Sequence, residues 1–231
     1  MSRKFKLETD YYGEEIKMYK KGTITLEEGV TVLVGCNGIG KTTLLAQIKQ
    51  QLNKKNIPCF SFDNLHEGGS HARAAAASEN DFTFMATSMA SSEGENIVMN
   101  MGKIAQALGH FVTTGESAKR GDRLTQAFAK AVFGEQKTQV NSKERWILLD
   151  AIDSGLSVDN IVDIKELLFQ TILKHKGDTS VYIIVSANEY EMARGEQCFD
   201  VYHGKYRQLK TYEAYRKLIL KTREIKDQRY S

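Results

Sequence analysis

Apolar residues along this chain switch between two spacings, and the switches mark its elements. Residues 3–9 alternate and predict a strand, followed by a turn at 10–14 and one or two strands over 16–26. Residues 30–34 form an unbroken Val- and Leu-rich run of the kind buried on both faces of a sheet. From Lys41 the spacing turns helical, with Leu44, Leu45 and Ile48 on one face, and it fades over the polar residues 50–56. A short strand at 59–62 follows Pro58. Residues 63–80 are polar and rich in Gly, Ala and Ser, predicting a loop with a short helix at 72–77, and 82–90 read as helical or irregular. Ile97, Met101, Ile104, Ala105 and Leu108 give a helix over 94–111, and a polar stretch with Gly115 and Gly121 separates it from a second helix at 123–133.

After a loop at 134–144 the apolar runs return. Residues 145–150 (RWILLD) predict a buried strand ending in Asp150, 158–174 an amphipathic helix, and 180–185 (SVYIIV) another buried strand. A hairpin around Gly204 at 198–206 and a charged helix at 212–226 complete the pattern. Strands alternating with helices predict an α/β fold with a mainly parallel sheet covered on both faces.

The junction of the 30–34 strand and the following helix carries the first chemistry. GCNGIGKT, residues 35–42, is GxxxxGK(S/T). Its glycines let consecutive backbone N–H groups turn inward on a phosphate, and the helix beginning near Lys41 adds the positive end of its dipole. In this motif Lys41 reaches the β/γ-phosphates and the Thr42 hydroxyl ligates Mg²⁺. Asp150, delivered to the same end by a buried strand, is placed to hold that Mg²⁺ through water or beside Thr42. The expected ligand is a nucleoside triphosphate.

Composition alters little. The 231 residues are 41% hydrophobic and 26% charged, with a formal net charge of +3, which is ordinary for a globular domain and too mild to argue for nucleic acid. Three scattered cysteines (Cys36, Cys59 and Cys198) without a CxxC pair suit reduced thiols. The absence of an apolar signal core or a long apolar run predicts a soluble, cytoplasmic protein without a membrane partner.

Together the motifs resemble a known family. GCNGIGKTTLL (35–45), with Asn37 at the third position and Thr42-Thr43 after the lysine, resembles the Walker A of ABC-type ATPases. LLDAIDSGLS (148–157) resembles the Walker B and D-loop of the SMC, RecF and RecN branch and its small stand-alone, AAA-type phage or bacterial relatives. Between them SSEGE (91–95) resembles the signature motif, Ser92, Gly94 and Glu95 matching and Glu93 replacing a glycine. The same serine also fits an ordinary helix N-cap.

The resemblance implies a single ABC-type head over 1–231, with antiparallel N-terminal strands, a small helical lobe and insert at about 64–143, and a C-terminal helix at about 211–228. It implies ATP rather than GTP, and a head-to-tail homodimer in which each ATP lies between one copy's P-loop (Asn37, Gly38, Gly40, Lys41, Thr42 and Thr43) and the other's Ser92, Gly94 and Glu95. Ser154, Gly155 and Leu156 would line that interface. Tyr11 or Tyr12, with Tyr12 the chosen candidate, stands where the family stacks adenine on an aromatic ring, although a sheet tyrosine also serves packing.

The departures are specific. Ala151 stands where the family has its catalytic Glu, and Ala187 at or beside the place of the switch histidine. Asp153, Asn188 and Glu189 are the remaining catalytic candidates. The glutamine loop has no clear counterpart, and Asp63, Asn64 and His66 are candidates for contacting metal or water on position alone. Loss of a general base removes about 10²–10⁴ in rate, so the expected hydrolysis is slow or partner-dependent. A non-hydrolysing ATP sensor that recruits an effector is the competing expectation. A P-loop kinase would leave the 92–95 and 153–156 motifs without a role. The roomy segment 111–143, with Lys119, Arg120 and Arg123, is either a partner surface or a solvated insert. The tail, with Arg216, Lys217, Lys221, Arg223 and Lys226, is either a solvated helix or a nucleic-acid contact, the use expected of a protein in DNA repair or phage and defence systems.

Overall fold

Parallel strands buried on both faces explain most of the architecture. The computed structural model describes residues 1–10, 17–64, 93–116 and 143–229, with the backbone alone at 93–103 and at 167. Its strands are β1 (Ser2–Lys6), β2 (Thr23–Glu27), β3 (Gly29–Val34), β4 (Cys59–Asp63), β5 (Glu144–Asp150), β6 (Ser180–Ser186), β7 (Gln197–Asp200) and β8 (Lys205–Arg207). The main sheet runs β4-β5-β6-β3-β7-β8 and is parallel except for the antiparallel β7–β8 pair, while β1 and β2 form a separate antiparallel pair. The fold is therefore α/β with a mainly parallel sheet, as the apolar pattern predicts, and an antiparallel N-terminal ribbon, as the family resemblance implies.

Alternate residues of each central strand enter opposite cores. Ile147 and Leu149 of β5 and Val181, Ile183 and Val185 of β6 face one core. Its helices are α2 (Glu93–Thr114) and α3 (Val158–Ile164), the latter running through a π-helical stretch, Lys165–Gln170, into α4 (Thr171–Lys174). Trp146, Leu148, Tyr182 and Ile184 face the other core, under α1 (Lys41–Lys54) and the β1–β2 ribbon. There Trp146 stacks on Tyr182 with ring centroids 4.0 Å apart, and Phe5 meets Trp146 edge-on at 5.1 Å. A short helix α5 (Tyr190–Ala193) and the C-terminal helix α6 (Tyr212–Asp227) complete the described chain.

Several boundaries differ from the sequence reading. Helix α2 continues to Thr114 and buries Phe111 and Val112, so those residues belong to the core and not to an insert. Within the expected strands at 16–26 the described part holds one, β2. The predicted helices at 72–77 and 123–133, the segment 82–90, Tyr11, Tyr12, His66, Ser92, Lys119, Arg120 and Arg123 all lie outside the described residues. Among the described residues no helix is long and apolar enough to cross a membrane.

Candidate nucleotide-binding site

The carboxyl ends of β3, β5 and β6 lie along one edge of the sheet, and the loops that leave them bring the predicted residues together. β3 hands over to a loop with three glycines at positive φ: Gly35 (148°), Gly38 (79°) and Gly40 (116°). Two of them are also sterically committed. A Cβ on Gly35 would meet Ile39 Cγ2 at 2.9 Å, and one on Gly40 would meet Met18 Sδ at 2.8 Å and Tyr19 Cε1 at 3.2 Å. The Tyr19 hydroxyl also donates to the Gly40 carbonyl at 2.9 Å. The N-terminal segment thus braces the P-loop from behind, a role the sequence does not announce.

Helix α1 begins at Lys41 with no side-chain cap and no acid in its first turn, so its leading N–H groups keep their capacity for an anion. Lys41 is only 8% exposed, and its Nζ donates to the Gly35 carbonyl at 2.9 Å. Burial pulls this ammonium below the ordinary lysine range, opposed by the nearby Asp153, Cys36 and Asp150. Asn37, Gly38 and Thr42 are exposed and Thr43 is half-buried, so the mouth of the loop is open to solvent.

Asp150, half-buried at the end of β5, accepts a hydrogen bond from Ser186 Oγ at the end of β6. Ser186 Oγ in turn accepts from the Ala151 N–H at 2.9 Å. The Thr42 hydroxyl and the Asp150 carboxylate are hard oxygen donors of the kind Mg²⁺ takes. Among the described residues no group of three or more His, Cys, Asp or Glu converges on one point.

Ala151 takes φ +50°, a left-handed conformation rare for a residue with a Cβ. Both its backbone groups are engaged. The N–H goes to Ser186, and the carbonyl accepts from Asn64 Nδ2 at 3.2 Å and from the Ser154 N–H at 3.0 Å. Asn64 Nδ2 also donates to the Ser154 carbonyl at 3.2 Å, so Asn64 ties both ends of this turn.

Asp153 is 1% exposed, and its Oδ2 accepts from the Asn188 and Glu189 N–H groups at 2.7 and 2.8 Å. Burial pushes its carboxyl above the usual range, partly offset by those two N–H donors. Asn64 Oδ1 and Asp153 Oδ1 are both buried without a hydrogen-bond partner among the described residues. The Asn188 and Glu189 side chains are on the surface, and Asn188 Nδ2 reaches Ser154 Oγ at 3.3 Å. Asp153 thus holds the loop after β6 in place.

The structure gathers Lys41, Asp150, Asp153 and the backbone of Asn188 and Glu189 at one edge. Gly94 and Glu95 begin α2. Sequence reasoning passed over Ser186, whose only signal was a polar residue ending an apolar strand. It also passed over Tyr19 and Thr222, whose partners lie far off in the chain, and gave Tyr215 only a place in the helix covering the sheet edge. No family model matches the chain, and neither does any curated protein. A solved structure described as a nucleotide-free ATP-binding cassette from an ABC transporter aligns with 94% of this chain and 95% of its own, at 15% identity and a TM-score of 0.43.

Proposed function

We propose that this chain binds Mg²⁺–ATP as an ABC/SMC-like ATP-binding domain and that two copies close head to tail around two nucleotides. The observation that carries the reading is the P-loop itself. Three positive-φ glycines wrap the buried Lys41 at the uncapped start of α1, with Asp150 on the neighbouring strand ends. N–H groups at the start of α1 and the Lys41 ammonium bind the β/γ-phosphates, while Thr42 and Asp150 hold Mg²⁺, which neutralises phosphate charge when bound. The order of GCNGIGKTTLL, SSEGE and LLDAIDSGLS supports the dimeric arrangement, in which Ser92, Gly94 and Glu95 of one copy face the nucleotide of the other.

Hydrolysis in this reading is slow or partner-dependent. Ala151 carries no base, and the Asp153 carboxylate is committed to the Asn188 and Glu189 N–H groups. The same two observations favour a second reading, a non-hydrolysing ATP sensor whose closed dimer recruits an effector. DNA repair or phage and defence systems are the settings in which such heads act, and DNA contact by the tail belongs to that proposal.

Equilibrium binding of a fluorescent ATP analogue, light scattering with Mg²⁺–ATP, and phosphate release test this in wild type, Lys41→Ala and Ala151→Glu. Nucleotide binding and dimerisation that Lys41→Ala abolishes are expected. Lysine-dependent turnover in wild type sinks the sensor reading. A stable ATP dimer that turns over only as Ala151→Glu sinks the ATPase reading. Nucleotide binding without dimerisation removes the signature role from Ser92.

A further inference from the structure

Helix α6 touches the P-loop and the loop after β6, and it does so through two hydroxyls on one buried face. Thr222 Oγ1 accepts the Cys36 N–H at 3.0 Å and donates to the Ile219 carbonyl at 2.9 Å. Two helical turns earlier, the Tyr215 hydroxyl donates to the Asn188 carbonyl at 2.8 Å. Both residues are buried. Asn188 in turn donates its N–H to Asp153 and its amide to Ser154 Oγ. The end of the helix adds to the hold on the P-loop. The Lys226 stem lies where a Gly38 Cβ would be 3.4 Å away. Arg229 donates to the carbonyls of Ile39 at 3.4 Å and Met18 at 2.7 Å.

Valine and phenylalanine would fill the same volumes as Thr222 and Tyr215 without either hydroxyl. What the hydroxyls add is a bond to the backbone of each loop, across 186 residues of sequence in one case and 27 in the other. A helix is stiff over the two turns that separate them, so a shift of one loop is transmitted to the other.

We propose that Thr222 and Tyr215 are positioning residues through which α6 couples the P-loop to the loop at 187–189, so that filling the first orders the second. This rests on the ATP reading above. Thr222 sets the height of the P-loop at Cys36, next to the residues that meet phosphate. Tyr215 sets the Asn188 backbone, whose N–H holds Asp153. Neither residue touches nucleotide; each acts through the loop it holds.

Hydrogen exchange followed by mass spectrometry, with and without Mg²⁺–ATP, tests the coupling alongside nucleotide affinity. In wild type, ATP is expected to slow exchange both in 35–42 and in 186–190. Thr222→Val should weaken ATP binding roughly fivefold, the worth of one ordinary hydrogen bond, and Tyr215→Phe by less than about twofold. At saturating ATP both variants should keep protection in 35–42 and lose it in 186–190, while Thr222→Ser restores it. Leu218→Ala is the structural control, because Leu218 lies on the same buried face and contacts the core. It should lower the unfolding midpoint and leave the coupled protection intact. Protection of 186–190 that persists in Thr222→Val and Tyr215→Phe overturns the proposal. So does its equal loss in Leu218→Ala, which would make α6 simple packing. A wild type that shows no ATP-dependent protection in 35–42 overturns the ATP reading, and the coupling falls with it.

Discussion

Replacing Gly40 with alanine tests how tightly the N-terminal segment braces the P-loop. At φ +116° an L-residue is strained, at a cost of about 1–3 kcal/mol. The new methyl would also sit 2.8 Å from Met18 Sδ, 3.0 Å from Met18 Cγ and 3.2 Å from Tyr19 Cε1. Met18 and Tyr19 are 5% and 1% exposed, so neither can swing freely into solvent, and Tyr19 is further pinned by its bond to the Gly40 carbonyl. Overpacking of this kind adds about 1–3 kcal/mol. Gly38→Ala supplies the comparison. It meets only Lys226 Cδ, at an ordinary 3.4 Å, and carries the left-handed penalty of about 1–2 kcal/mol alone.

Urea unfolding followed through Trp146 reads the difference, since Trp146 is the sole tryptophan and is fully buried against Tyr182. For a chain of this size a loss of about 3 kcal/mol moves the midpoint by about 1 M. If Met18 is the obstacle, Gly40→Ala should cost about 1 kcal/mol less in a Met18→Ala background than in wild type. A Gly40→Ala midpoint equal to that of Gly38→Ala, or no coupling to Met18, refutes the bracing argument.

Three further outcomes are expected. Ala151→Gly should raise stability by about 0.5–1 kcal/mol, because relief of the left-handed strain exceeds the extra entropy glycine loses; a fall in the urea midpoint would contradict the conformation assigned to Ala151. Asp153→Asn should keep both loop bonds, which converge on one oxygen, while removing a buried charge. Because burial raises the folded carboxyl above its ordinary 3.8, its ionised form disfavours the fold above the folded value. The folded state then takes up the proton first as pH falls toward 3.8, so wild type should gain stability relative to Asp153→Asn on acidification from neutrality; parallel midpoint curves would exclude this. Burial pushes the Cys59 and Cys198 thiols up to about 12 and about 11, so iodoacetamide at pH 8 should modify both at least about 100-fold more slowly in the native protein than in urea, as peptide mass spectrometry would show.

What could be read from the chain alone was contiguous. The P-loop glycines, Lys41 and Thr42 occupy one short run, and their chemistry follows from backbone freedom and charge at a strand-to-helix junction. Asp150 was legible because the four buried residues before it, Trp146, Ile147, Leu148 and Leu149, read as an unbroken apolar run ending at the open edge of a parallel sheet. The expected helix stops at Phe111, where the polar segment 111–143 begins, and only packing under the sheet reveals Phe111 and Val112 as core. Asn64 could be named as a candidate for contacting metal or water but not as the lock on the Ala151 turn, since its partners at Ala151 and Ser154 stand 87 and 90 residues away.

By itself, then, the sequence of this protein determined an α/β sheet, a GxxxxGK(S/T) loop at a strand-to-helix junction, an acid at the end of an apolar run and the alanines at 151 and 187. Each depends on neighbours along the chain or on the simple presence of a side chain. The tertiary structure alone decided that β6 lies between the P-loop strand and the Asp150 strand, and that Ser186 therefore bonds Asp150. It also decided that Asp153 holds the loop after β6 instead of facing open solvent, and that a helix at the far end of the chain grips the P-loop through Thr222. Strand order and helix docking arise from burying both faces of one sheet at once, a constraint that no local pattern of apolar and polar residues encodes.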